Sequence, residues 1–246
     1  MKPLIDITVN QVSKKLGPTQ ALDDLSTHFQ SGEMHGLIGP EGAGKTTLLR
    51  TLLELLHPDQ GEILYRQNDQ KIAFADIRPH IAYMPQQQSL YADLSVSEHL
   101  DFFRTLYGLS KEEYKTRRQG LLRMTRMEPF VERPAGKLSG GMYKKLGLMC
   151  ALLRSPSVVI LDEPTNGVDP ISRREFWELL YELSRDNILI VMATAYMDEA
   201  ERCSQVHLID TGKLIAQGEP KALLKQESVS TFDALFIKRQ KDAAHV

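Results

Sequence analysis

The chain is poor in cysteine, poor in long apolar runs and without an excess of charge of either sign. It has 246 residues and two cysteines, Cys150 and Cys203, 53 positions apart. That is neither a disulfide framework nor a zinc spacing, and reduced thiols in a cytosolic protein are the expectation. The longest aliphatic stretch, Ile188 to Ala193, has six residues, against the roughly 20 needed to cross a bilayer. The opening MKPLIDITVNQV holds no apolar segment of a secretory leader. The expectation is a chain that does not span a membrane, with room for one that sits against a membrane protein. Lys and Arg total 30 and Asp and Glu 32, for a formal charge of −2, so the overall charge makes no case for nucleic acid. Internal repeats and low-complexity segments are lacking too.

With 42% apolar and 25% charged residues, the composition is that of a globular protein. The length suits one large domain, or a domain with a sub-domain. Ile5, Ile7 and Val9 alternate with polar residues and predict a strand. A second strand is expected over Ala21–Phe29. The apolar run 34–38 leads into glycine-rich sequence and then helix-forming sequence over Thr46–Leu56, giving strand, glycine loop and helix. A short strand is expected at Ile63–Tyr65. Helix is expected from Leu90 to Met127, opened by a capping box at Ser95 and Glu98 and closed by Pro129 and Pro134. Residues 88–135 thus read as a helical block inserted in an α/β core. Beyond it, helix is expected over Lys144–Arg154 and Ser172–Ser184, and buried strands over Val158–Leu161 and Ile188–Ala193. A helix start at Met197–Glu201 follows, then a hairpin around Thr211-Gly212, and a helix over Ser230–Lys238. The last ten residues, IKRQKDAAHV, are polar and expected to fray.

Residues 39–46, GPEGAGKT, match the phosphate-loop pattern G-x-x-x-x-G-K-[ST]. The run Gly39, Pro40, Glu41, Gly42, Ala43 and Gly44 lets backbone N–H groups curl around a β-phosphate. Lys45 reaches the β and γ oxygens, Thr46 offers a hydroxyl to Mg²⁺, and Thr47 continues the helix whose positive end faces the anion. A second site lies about 115 residues on, where an apolar strand exits into Asp162 and Glu163. Phosphoryl transfer needs one carboxylate near Mg²⁺ and a second group to orient or deprotonate water; Asp162 suits the first role and Glu163 the second.

These motifs, with MPQ at 84–86, LSGGM at 138–142, LDEPT at 161–165 and GVDP at 167–170, resemble the ATP-binding cassette (ABC) family over nearly the whole chain. The resemblance implies an α/β fold: a P-loop NTPase core with an antiparallel β subdomain and an inserted helical subdomain. The ATPase domain would cover 1–225, with its core at 1–87 and 136–225 and the helical part at 88–135. A C-terminal helix and polar tail would occupy 226–246. It further implies ATP and Mg²⁺ as cofactors and head-to-tail pairing with a second ABC ATPase subunit, identical or different. Ser139, Gly140 and Gly141 would then cover the partner's nucleotide and Asp169 would lie at the seam. Gln86 would sense Mg²⁺ and the attacking water, Mg²⁺ lying among Thr46, Gln86 and Asp162. The helical block would dock on separate transmembrane permease subunits, holding the chain on the inner, cytoplasmic face of the membrane, with no nucleic acid as partner. The runs PISRREFWEL and MDEAE look most like the ABC-2 exporter branch.

Four positions depart from the family pattern. Ala195 stands where a histidine usually contacts the γ-phosphate, and an unbroken strand would turn Tyr196 to the opposite face. His207 reads as an ordinary strand histidine. Leu16 replaces an aromatic residue that stacks on the base. Glu41 replaces a small residue and is expected to point outward. Lys144 stands where glutamine is common, and whether Lys144 and Lys145 are solvated stays open. Leu16, Glu41 and Ala195 all lie on the side of the chain's own nucleotide, which implies an asymmetric pair in which this site hydrolyses slowly. The alternatives are a soluble cassette of the translation or repair kind and a regulatory cassette without significant turnover.

Overall fold

The computed structural model describes residues 2–87 and 90–244. Two sheets organise it. Strands β1 (Ile5–Leu16) and β2 (Thr19–Phe29) form a hairpin; β4 (Gln60–Gln67) pairs with the other edge of β1, and β5 (Gln70–Ile72) with β4. All these pairings are antiparallel, in the order β2-β1-β4-β5. The second sheet joins β3 (Met34–Ile38), β6 (Ile81–Met84), β7 (Val158–Asp162), β8 (Leu189–Thr194), β9 (Gln205–Asp210) and β10 (Lys213–Gly218) in the order β10-β9-β3-β8-β7-β6. It is parallel apart from the β9–β10 hairpin. Strands β3, β7 and β8 are buried at every residue, which is why they read as continuous apolar runs instead of alternating ones.

Helix α1 (Lys45–Leu52) follows β3, and α2 (Phe74–Ile77) precedes β6. One apolar core packs α1 and the antiparallel sheet onto one face of the parallel sheet, through residues such as Phe29, Leu48 and Val191. The opposite face is covered by α5 (Gly140–Leu152), α6 (Pro170–Ser184) and α8 (Phe232–Ala244), with Trp177 buried there; α7 (Pro220–Gln226) adds Leu223. A third cluster joins α3 (Val96–Tyr107) and α4 (Lys111–Thr125) to α5 through Leu100, Leu122 and Leu146.

The capping box expected at Ser95 and Glu98 is formed, and Ser110 with Glu113 forms another. The long helix expected over 90–127 is in fact this pair, divided at Gly108, whose φ of 65° closes α3. Helix α1 stops four residues earlier than expected. Glu54 adopts φ 51° and Leu55 N–H bonds back to Arg50 O at 2.9 Å, a left-handed closure that ends the helix without glycine. The segment expected to become a helix at Met197 is a 3₁₀ turn, Met197–Arg202. The C-terminal helix is present as α8, which runs to Ala244; Phe232 and Leu235 are buried, and Lys238 and Arg239 both pair with Glu227. Residues 88 and 89, at the expected start of the helical block, and 245–246 of the tail lie outside the described residues.

Candidate functional site: a phosphate loop at the ends of the parallel strands

Parallel strands β3 and β7 end on the same edge of the sheet, with β8 hydrogen-bonded between them. The turn after β3 is the glycine loop, and the residues after β7 are Glu163 and its turn. The loop needs glycine at two places for different reasons. Gly44 has φ 106°, and a Cβ there would lie 2.4 Å from Ala21 O; a Cβ on Gly39 would lie 2.1 Å from Ile209 O. No side chain caps the start of α1, so its first N–H groups face the loop's interior.

Lys45 is 4% exposed, and its Nζ donates to Gly39 O at 2.7 Å and Pro40 O at 2.9 Å, with Glu163 Oε1 at 3.9 Å. Burial lowers its pKa, and the charges of Glu163, Asp162 and Glu41 pull it back up. Thr46 Oγ1 donates to Asp162 Oδ1 at 3.0 Å. Burial raises the Asp162 pKa, opposed by this hydrogen bond. Its other oxygen, Oδ2, is buried with no hydrogen-bond partner among the described residues. Gln86 Nε2 donates to Glu163 Oε2 at 2.8 Å. A cavity of about 520 Å³ opens over these groups, lined also by Gly42, Ala43, Gly44 and Thr47 and, at its outer end, by Leu16, Thr19 and Ala21. Leu16 is 44% exposed.

A smaller cavity of about 120 Å³ adjoins Glu41, Glu163, Asn166, Thr194, Ala195 and Tyr196. Glu41 is exposed, as expected, yet lines both cavities. The side expected for Tyr196 required an unbroken strand. Strand β8 ends at Thr194, so side-chain alternation lapses and Tyr196 shares the cavity of Ala195. His207 sits buried on β9, bonded to Thr27 and His35.

Ser139, Gly140 and Asp169 are not brought to this site; they are exposed elsewhere on the surface. Ser139 caps α5 by accepting from Met142 N–H at 3.3 Å, and Asp169 caps α6 by accepting from Ile171 and Ser172 N–H. Gly141 packs on α6, where a Cβ would come within 2.5 Å of Ser172.

Two contributors escaped the sequence reading. Asn166 Nδ2 donates to Glu163 Oε2 at 2.9 Å; its place three residues after Glu163, inside a tight turn, was the available signal. Lys144 and Lys145 are both engaged. Lys144 Nζ donates to Gln86 O at 3.3 Å and feels the charges of Glu163 and Asp162, while Lys145 pairs with Glu175 at 2.6 Å.

The family model described as ABC transporter matches residues 22–166. The "Probable multidrug ABC transporter ATP-binding protein YbhF" of Escherichia coli K12 is 44% identical over 92% of this chain, which spans 39% of that relative's length. The "Nod factor export ATP-binding protein I" of Burkholderia thailandensis is 38% identical over 90% of the chain and 73% of the relative. A solved ATP-binding subunit of an ABC transporter superposes with a TM-score of 0.81 at 30% identity, covering 95% of this chain and 99% of that one.

Proposed function

The chain belongs to the ABC transporter family, and on that premise we propose that it binds Mg-ATP and, paired with a second cassette, hydrolyses it to drive export through separate membrane subunits. The observation that carries this reading is the convergence of Lys45, Thr46, Glu163 and Gln86 on one cavity at the strand ends, with Asp162 held behind Thr46 by the Thr46 hydroxyl.

In this reading the loop amides and Lys45 hold the β- and γ-phosphates, and Leu16 packs against the base. The residues present suit Mg²⁺: Asp162 Oδ2 is buried without a partner among the described residues, and Thr46 Oγ1 is bonded to the same carboxylate. Asp162, Thr46 and Gln86 would hold the ion, which supplies positive charge to the phosphate oxygens. Glu163 orients and deprotonates the attacking water, and Gln86 and Asn166 fix its carboxylate by donating to Oε2. Ala195 offers no side-chain donor to the γ-phosphate, so turnover at the chain's own site is slow; loss of one such donor costs about 10²–10³ in rate.

Ser139, Gly140, Gly141 and Asp169 serve the nucleotide held by the second cassette, which accounts for the exposure of Ser139, Gly140 and Asp169 and for their absence from the cavity around Lys45. The helical block at 88–135 meets the membrane subunits and places the chain on the inner face of the membrane. Its exposed Tyr91, Phe102 and Leu106 suit such a contact. No described helix is long and apolar enough to cross a membrane itself. The two relatives named for multidrug transport and Nod factor export support export as the direction.

Equilibrium dialysis with labelled ATP, with and without Mg²⁺, tests the reading. Saturable retention that requires Lys45 is expected, and no retention at millimolar nucleotide with magnesium present would sink it.

A further inference from the structure

Glu199 lies in the 3₁₀ turn after Ala195 and is fully buried. Its Oε1 collects three donors from two other segments: Thr165 Oγ1 at 2.9 Å, Arg173 Nε at 2.7 Å and Trp177 Nε1 at 3.1 Å. Oε2 is buried and has no hydrogen-bond partner among the described residues. Thr165 stands two residues after Glu163, in the turn that carries Asn166 and leads to Asp169. Arg173 and Trp177 lie on α6, the helix that Asp169 caps. Arg173 also grips both carboxylate oxygens of Asp198, at 2.9 and 3.0 Å, and its guanidinium lies 4.3 Å over the Tyr196 ring.

A buried carboxylate with one oxygen unsatisfied is a poor device for stability alone, because a well-packed apolar group often does as well. What this one does is fasten the turn after Glu163, the 3₁₀ turn and α6 at a single buried point, beside the contacts that Arg173 makes with Asp198 and Tyr196. We infer that Glu199 is a positioning residue. It makes the loop from Ala195 to Arg202 and the turn from Glu163 to Asp169 one rigid unit. Nucleotide arriving beside Ala195 and Glu163 therefore moves Asp169 and α6 with them, and the signal reaches the second cassette through that seam. This rests on the nucleotide site proposed above.

Trp177 is the chain's single tryptophan, and its indole N–H sits on Glu199, so its emission reads this unit directly. Mg-ATP added to the full-length chain should change Trp177 emission, saturating at the Kd found by dialysis. Thr165→Val keeps the shape and removes the hydroxyl. It should abolish the emission change and lower kcat about tenfold, with Kd for Mg-ATP altered less than about twofold. Thr165→Ser should restore both. Glu199→Gln should uncouple in the same way, and it carries the test if Thr165→Val does not fold. The inference is overturned if the unmodified chain binds Mg-ATP with no change in emission, or if Thr165→Val or Glu199→Gln keeps the full response. A chain that retains no nucleotide in dialysis brings down the proposed function, and this inference with it.

Discussion

The face around the phosphate loop and the face around Ser139 and Asp169 are built in opposite ways. On the first, Lys45, Asp162 and Glu163 are 4%, 1% and 7% exposed; Lys45 bonds a loop carbonyl and pairs with Glu163, and Asp162 accepts from the Thr46 hydroxyl. Their charges are desolvated and set before any ligand arrives, which is the condition for strong electrostatic work. On the second, Ser139, Gly140 and Asp169 are exposed, and their polar atoms are spent on capping α5 and α6. Of the four positions that depart from the pattern the family resemblance implies, Leu16, Glu41 and Ala195 border the first face, and Lys144 stands on α5, the helix that Ser139 caps.

The sharpest way to break this comparison is Glu163→Gln, which should cut phosphate release by about 10²–10⁴ while nucleotide binding persists. Retention of turnover would show that the buried face is not where chemistry occurs. Ala195→His should raise kcat by roughly 10² if the missing donor limits this face. A rate that histidine does not improve would mean the face is not impaired. Lys45→Ala should raise the Kd for Mg-ATP about 10- to 100-fold, the worth of charge-assisted bonds to phosphate, whereas Ser139→Ala should leave binding by the lone chain unchanged.

A pH measurement sharpens the contrast differently. A chain of buried groups, Thr27, His207 and His35, joins β2 of the antiparallel sheet to the strand that feeds the phosphate loop. Burial pushes the pKa of both rings below that of a free histidine, so the unfolded chain takes up protons that the folded one refuses. Stability is therefore complete above pH 6.5 and falls as the pH drops below it. About 2 kcal/mol should be lost for each ring between pH 7 and pH 5, read from urea midpoints. The smallest expected effect is Leu16→Tyr, which should tighten nucleotide binding about fivefold through stacking worth roughly 1 kcal/mol.

Much of the molecule was legible because its signals are local. Val158–Leu161 and Ile188–Ala193 read as buried strands from apolar runs alone, and Ser95 with Glu98 announced a helix start. GPEGAGKT marked the phosphate loop, since only glycine fits where the backbone closes on Ala21 O and Ile209 O. The sequence was less legible where distant residues decide. The C-terminal tail is polar, and its helix depends on Glu227 and on a core that a local pattern does not show. The side assigned to Tyr196 held only for an unbroken strand, and β8 ends two residues before it. Asn166 gave a signal only through its neighbour Glu163.

The residue types and their spacing were enough to mark a phosphate loop ending at Lys45 and Thr46, because that pattern is carried by eight consecutive residues. Only the folded chain decided that Asp162 keeps a buried oxygen with no partner among the described residues, that Lys144 reaches the Gln86 carbonyl, and that Glu199 ties two loops together. The bonds behind those arrangements join residues 116, 58 and 34 positions apart. Such contacts are settled by how helices pack on a sheet, and no periodicity along the chain records them.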